Sequence, residues 1–391
     1  MCGVFGYVGT NNDASKIIHN GLKRLDYRGY DSWGIACIKS KIKNQISKIC
    51  LSKHIGKIPE KIYGFPQSSI GIGHTRWATH GAVTQLNAHP HLSTDGTFAL
   101  AQNGIVENYT ALKDDLRKKG FTFLTETDTE VIVRLIEDEK RLVVDDLVEA
   151  VRQAFLKLAG RNTIIVLSDK GDIIAARNGS PLVIGRKNGS NEVYFSSDTL
   201  SFAHQTDRML VINNGQLVNF FDNKLQLVDI LSGEKVPVRY EPIQIADNQV
   251  NKSGYPHFML KEIHETPEVI QRVTNQDADQ IEKFAAVIKR SRTVYTIGSG
   301  TTGGAAAQIA YYLRVYAHIP AVSLIGSEAK EYIDLIGPKD LIIAPSQSGE
   351  TADVLEVLEP LKEKEVTLAT YVNMPGSMMT RMSDHKFMAE A

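Results

Sequence analysis

The sequence predicts an α/β protein in two parts: an α+β part with antiparallel sheets, then a doubly wound parallel-sheet part. Three observations carry this expectation. Up to about residue 230, short runs rich in β-branched and aromatic residues follow one another with few helices between them. From Thr293 onward, helices alternate regularly with apolar strands, the pattern of parallel pairing. Between the two, residues 231–290 are polar and punctuated by Pro237, Pro242 and Pro256. Domains are therefore expected at 2–230 and 291–391, with a connector at 231–290.

In the first part, strands are expected at 4–8, 34–38, 70–74, 98–103, 163–168, 173–177, 193–197 and 209–212. Helices are expected at 13–25, 110–119, 128–137 and 144–158; the last carries Val148, Val151, Phe155 and Leu158 at helical spacing. The run HFMLKEIHETPEVIQRV reads as a helix entering the connector. In the second part the order is strand 293–297, helix 302–316, strands 321–324 and 341–344, helix 351–364, strand 366–371 and an apolar run near Phe387. No helix follows to cover the sheet there, so the last domain is expected to be incomplete.

Length 391 leaves room for two or three domains with ample core. A net charge of −1 offers no basic footprint for nucleic acid and no acidic tail. Three cysteines (Cys2, Cys37, Cys50) form no CxxC, which suits a reducing compartment. The start MCGVFGYVGTNN has neither a basic n-region nor an apolar segment, and nothing approaches the ~20 apolar residues of a membrane span. A cytoplasmic protein without membrane contact is expected.

Cys2 is the most pointed feature. Loss of Met1 would place a thiol and a free α-amine on one residue, and an α-amine of pKa ~8 can take the thiol proton near neutral pH. The alternatives are an inert thiol after an unprocessed start, or a lipidated cysteine, for which the sequence context is missing. Arg76 offers the planar fork that suits a carboxylate. Trp77, Thr79, His80 and Gly81 follow it on an expected loop. In QNGIVEN, the Asn103 side-chain amide and the Gly104 N–H can form an oxyanion hole, though Asn-Gly alone is most often a hairpin turn. Asp128 can bind an ammonium, though Thr127-x-x-Glu130 also fits a capping box. His74, His80, His89 and His91 lack the spacing of a closed zinc set, so no metal is expected.

MCGVFGYVG, RLDYRGYDS, HTRWATHG, NAHPH, QNGIVENY and ETDTEV, in this order, resemble the class II glutamine amidotransferase domain of the N-terminal-nucleophile hydrolases. The resemblance implies an αββα sandwich and a glutaminase in which Cys2 attacks the side-chain amide of L-glutamine. It further implies that Asn103 and Gly104 stabilise the oxyanion, Arg76 grips the α-carboxylate and Asp128 the α-amine. Trp77, Thr79 and His80 would line the pocket, with Trp77 gating ammonia escape and Arg28 ordering the site. Trp33 departs from the family's small residue after YDS and must be accommodated locally.

In the second part, IGSGTTGG follows a strand and opens a helix, as does SQSGET; glycines, hydroxyls and helix starts together can cradle phosphate. A dinucleotide site is disfavoured because no acidic residue closes the next strand. With Asn373 and Gly376-Ser377, the pair resembles the sugar isomerase (SIS) domain. With SGYPHFMLKEIHETP added, the whole chain resembles the family of glutamine–fructose-6-phosphate aminotransferases of hexosamine biosynthesis, cut short. That resemblance implies that Thr301, Thr302, Ser346, Gln347, Ser348 and Thr351 contact fructose 6-phosphate. It also implies no cofactor, a homodimer in the full-length family, and a continuation expected to be absent here (the rest of this SIS domain, a second SIS domain and a C-terminal tail) that supplies a lysine, a glutamate and a histidine. The alternatives are a glutaminase-only fragment or a non-catalytic sugar-phosphate-binding module. Among other class II amidotransferases, SQSGET separates it from the phosphoribosyl and asparagine-forming types.

Overall fold

The structure, a computed structural model, describes residues 2–10, 12–39, 49–143, 146–243, 254–374 and 376–389. Met1, Val144 and Ser253, which entered the sequence expectations, lie outside them. The chain divides into two compact units, Met1–Val250 and Asn251–Ala391.

The first unit begins β1 (Gly3–Val8), α1 (Ala14–Arg24), β2 (Ser32–Ile38), β3 (Ile49–Ile55), β4 (Ile70–Arg76), β5 (His91–Leu92) and β6 (Phe98–Gly104). Three helices follow: α2 (Tyr109–Lys118), α3 (Asp128–Leu142) and α4 (Leu147–Leu156). Then come β7 (Asn162–Ser168), β8 (Ile173–Asn178), β9 (Val183–Arg186), β10 (Val193–Ser196) and β11 (Arg208–Val211). The unit closes with β12 (Gln216–Phe221), β13 (Lys224–Asp229), β14 (Lys235–Val236) and β15 (Glu241–Pro242). Two antiparallel sheets result, in the orders β15-β11-β9-β10-β1-β4-β2-β3 and β14-β13-β12-β8-β7-β6-β5.

Side-chain alternation stacks these sheets. On β4, Ile70 and Ile72 join Ala99 and Ala101 of β6 in a core between the sheets, with Val4, Ile165 and Phe195. The intervening Gly71 and Gly73 face α1: a Cβ on Gly73 would lie 2.5 Å from Ile18. Glycine there lets Ile18 and Leu22 of α1 pack on the outer face of the first sheet. Phe98, Leu100, Ile164 and Val166 turn the other way, onto Val131, Ile132 and Ile136 of α3 and Val151 and Phe155 of α4. The layers are therefore helix, sheet, sheet, helix. Trp33 is accommodated by stacking on His54 at 4.3 Å, with His19 edge-on at 6.2 Å.

Several elements differ from the sequence expectation. β3, β9 and the β12–β13 hairpin are additional strands. The hairpin turns at Asp222 and Asn223, both with positive φ, as a tight two-residue turn requires. Helix α3 continues to Leu142. Within 231–290, β14 pairs with β13 and β15 with β11, so these residues belong to the first unit's sheets.

The second unit runs α5 (Phe258–Thr274), α6 (Ala278–Arg290), β16 (Val294–Gly298), α7 (Thr301–Val315), β17 (Ala321–Ile325) and β18 (Leu341–Ser346). It continues with α8 (Ala352–Glu363), β19 (Thr367–Val372), α9 (Met378–Met382) and β20 (His385–Met388). Its sheet is wholly parallel, in the order β17-β16-β18-β19-β20. The order of strand addition reverses between β16 and β18, since β17 lies on one side of β16 and β18 on the other, and ligands of open α/β sheets bind outside the carboxyl ends at such a point.

Candidate active site

Cys2 precedes β1, whose neighbour β4 pairs Gly3 with Thr75; one residue further, Cys2 comes opposite Arg76. There the Trp77 N–H donates to Cys2 Sγ at 3.2 Å, and Sγ faces the Trp77 carbonyl at 3.5 Å. Burial pushes the thiol above its usual pKa, opposed by the Trp77 N–H and by the charges of Arg76 and Arg28. Arg28, which is buried, donates from Nε to the Cys2 carbonyl at 3.2 Å and pairs with the largely covered Asp198 at 3.4 Å. It thus clamps the start of β1. Gly3 is obligatory, since a Cβ would sit 2.8 Å from Thr75 Oγ1 and 2.9 Å from Leu25 Cβ.

Arg76 ends β4, and its guanidinium turns under the loop that follows, donating to the carbonyls of His80, Gly81 and Ala82. Three further side chains strap this loop. Asp31 accepts from the Ala78 N–H at 2.9 Å, and Glu126 accepts from the Ala82 N–H at 3.0 Å. Asn87 donates to both Ala82 O, at 3.0 Å, and Glu126, at 2.9 Å. Those N–H donors, Ala82 first and Asn87 second, hold the Glu126 carboxyl below its usual range. Trp77 and Thr79 are exposed on the loop; Trp77 meets Tyr30 edge-on and His80 meets Tyr109 edge-on. Asp31, Asn87, Glu126 and Asp198 were missed in the sequence, although the first three lie inside quoted motifs. Their role is to hold backbone, which no spacing rule reveals.

Asn103 and Gly104 form the end of β6 and pair with Thr163 and Asn162, so this Asn-Gly is no hairpin turn. Gly104 has φ +127, and a Cβ there would lie 2.1 Å from the Arg161 carbonyl. Asn103 is buried; its Oδ1 faces His74 Nε2 at 3.2 Å, and its Nδ2 is buried with no acceptor. Two residues beyond Gly104, the Val106 N–H donates to Asp128 Oδ2 at 2.8 Å. Asp128 is buried on the first turn of α3, capped by Thr127, which accepts from Glu130 N. Only half of the anticipated capping box forms. Glu130 instead accepts from the Leu124 and Thr125 N–H groups and pairs with Arg134 at 2.8 Å.

His74, His89 and His91 form a buried column, with ring centroids 4.3 and 5.0 Å apart. Their Nε2 atoms meet Gln102 O at 2.9 Å, Thr129 Oγ1 at 3.0 Å and Thr127 Oγ1 at 3.1 Å respectively. Burial is the chief cause pushing all three pKa values down, His74 to about 3 and the others well below the usual range. Beside His91, burial also lowers Lys53, to about 8. Among the described residues, no His/Cys/Asp/Glu group is arranged to hold a metal.

In the second unit, both hydroxyl-rich loops leave the carboxyl ends of β16 and β18, flanking the point of reversal. Gly300 takes φ +59 at the start of α7, and Thr302 Oγ1 donates to the Ser299 carbonyl at 2.9 Å. Ser346 Oγ accepts from Gly349 N at 3.0 Å and Ser348 Oγ from Glu350 N at 3.1 Å. Ser348 therefore does not cap α8, whose first position follows Thr351, a residue without a side-chain cap. Thr301 and Gln347 are exposed. Ser377 caps α9 and packs on this loop: a Cβ on Gly349 would come within 2.1 Å of its Oγ.

The four layers, with a thiol at the head of a central strand, define an N-terminal-nucleophile type of fold. The chain belongs to the glutamine amidotransferase domain family, whose model matches residues 39–236; residues 287–391 match the SIS domain model. A glutamine–fructose-6-phosphate aminotransferase (isomerizing) of Pyrococcus horikoshii is 37% identical over all of this chain and 65% of its own length. One from Thermus thermophilus is 38% identical over 97% of this chain and 63% of its own. The chain thus spans somewhat under two thirds of these relatives. Among solved structures, a glutamine phosphoribosylpyrophosphate amidotransferase from B. subtilis is similar in fold, with TM-score 0.52 and 19% identity. That match covers 99% of this chain and 86% of the other.

Proposed function

We propose that this chain takes ammonia from L-glutamine for transfer to fructose 6-phosphate, giving glutamate and glucosamine 6-phosphate, as the names of its relatives suggest. The observation that supports the glutaminase step most is the Asn103 amide: a buried N–H donor without an acceptor, beside the glycine N–H of residue 104. An unsatisfied buried donor costs about 1–3 kcal/mol, a cost that makes sense where an oxyanion is to be received.

In this reading, removal of Met1 frees the α-amine of Cys2, which takes the thiol proton directly or through water. The thiolate attacks the amide carbon of glutamine, and Asn103 Nδ2–H and Gly104 N–H hold the oxyanion. The C–N bond then breaks, ammonia leaves with the proton, and water hydrolyses the γ-glutamyl thioester to glutamate. Arg76 has five N–H donors and three carbonyl bonds, leaving two for the glutamine carboxylate. Asp128 receives the α-amine; Trp77, Thr79 and His80 line the pocket, with Trp77 as the cover. Arg28 orders the site through the Cys2 carbonyl. Thr301, Thr302, Ser346, Gln347, Ser348 and Thr351 receive the sugar phosphate. A reducing cytoplasm suits the thiol, and a homodimer suits the family. Among the described residues, no helix is long and apolar enough to cross a membrane.

The test is glutamine hydrolysis by the full chain, with its N-terminus read by mass spectrometry. We expect a chain beginning at Cys2, labelled there by a diazoketone analogue of glutamine, and loss of turnover in Cys2→Ala. Turnover that survives Cys2→Ala, or an active chain that keeps Met1, refutes the reading.

A further inference from the structure

We infer that His74 is a positioning residue for the oxyanion hole: it sets the direction of the Asn103 amide. This rests on the glutaminase reading above. His74 and Arg76 lie on the same face of β4, the face turned toward the second sheet; Asn103 lies on the facing side of β6, in line with Ala99 and Ala101. His74 Nε2 has two neighbours, the Gln102 carbonyl at 2.9 Å and Asn103 Oδ1 at 3.2 Å, and both are acceptors. Nε2 must therefore carry the proton. Nδ1 is buried without a partner, so the ring is held as the neutral Nε2–H tautomer.

That single N–H does two things. Its bond to Gln102 O fixes the peptide joining residues 102 and 103. Its bond to Asn103 Oδ1 excludes the flipped amide, in which an N–H would face an N–H. Asn103 Nδ2 is thereby turned away from His74 and left free to donate, which is the state observed. The ring itself is held from behind by His89 at 4.3 Å. His89 is in turn fixed by Thr129 Oγ1, which also donates to the Gln102 side chain. Gly34 of β2 makes room for this support, since a Cβ there would lie 2.3 Å from the His89 carbonyl. The His74 N–H is engaged by Gln102 O and Asn103 Oδ1, so it acts on the site through Asn103.

The experiment uses the full chain with glutamine hydrolysis as readout. His74→Leu removes the donor and is expected to lower kcat by ~10²–10³, the loss typical of one oxyanion donor, with KM for glutamine within about threefold. Alkylation of Cys2 by iodoacetamide, which needs no oxyanion hole, should keep its rate within about twofold. His74→Gln restores an N–H near the Nε2 position and should recover at least about tenfold over His74→Leu. On an Asn103→Ala background, His74→Leu should cost no more than about a further threefold, because its target is gone. If His74→Leu loses its folded tryptophan fluorescence, His74→Asn, too short to reach both acceptors, takes its place in the same comparisons. The inference is overturned if kcat stays within threefold of the parent, if the losses at His74 and Asn103 multiply, or if iodoacetamide labelling falls along with kcat. Failure of the glutaminase reading looks different: the unsubstituted chain itself would not hydrolyse glutamine.

Discussion

Acidification should unfold the first unit well above the pH at which carboxylates protonate, because His74, His89 and His91 are buried in neutral form. All three pKa values are depressed by burial, with the cations Lys53 and Arg76 and the neighbouring rings pushing His89 and His91 the same way. The unfolded chain, with histidines near 6.5, binds more protons than the folded one. Stability therefore rises with pH, is complete above about 6.5, and is lost as pH falls toward the folded pKa, about 3 for His74. Each such group contributes ~1.4 kcal/mol per pH unit below 6.5, so three together weaken the fold by roughly 4 kcal/mol between pH 7.5 and 5.5. That is a large part of the ~5–15 kcal/mol typical of a domain. His19, also lowered chiefly by burial, acts in the same direction. Urea unfolding followed by tryptophan fluorescence reads this unit alone, since both tryptophans, Trp33 and Trp77, lie within it. Stability that changes by less than about 1 kcal/mol over that interval refutes the reasoning. A His89→Gln chain should show a shallower slope, whatever its absolute stability.

Gly104→Ala should cost more than ~2 kcal/mol of stability and lower glutamine turnover at least ~10²-fold. It would add strain at φ +127 to a 2.1 Å clash with the Arg161 carbonyl; unchanged turnover contradicts the proposed use of its N–H. Arg28→Met should destabilise the first unit by ~3 kcal/mol by removing the buried guanidinium that faces Asp198 and donates to the Cys2 carbonyl, measured by the same urea titration. Glu126→Gln weakens the strap on the 77–82 loop, so KM for glutamine should rise several-fold with kcat nearly unchanged, as steady-state kinetics would reveal. Ser348→Ala should weaken fructose 6-phosphate binding about tenfold in calorimetry, with glutaminase turnover unaffected.

The linear sequence by itself determined the order of elements and the division between antiparallel and parallel pairing. Local patterns carry that information: β-branched runs at 70–76 or 162–168, and helices interleaved with strands after Thr293. It also named Cys2, Arg76, Asn103, Gly104 and Asp128, because their chemistry is uncommon enough to stand out at those spacings. Edge strands such as β3, half exposed and weakly patterned, did not stand out, and neither did the attachment of residues 235–242 to the first unit's sheets. Only the tertiary structure decided that Asn103-Gly104 ends a strand instead of turning a hairpin, since the decisive contact is with Arg161, far along the chain. Only it joined His74, His89 and His91 into a buried column and set one of them against Asn103. Those contacts join β4 of one sheet to β5, β6 and the loop before β5, and the cost of burying three neutral imidazoles is met by packing between layers, which no stretch of sequence contains.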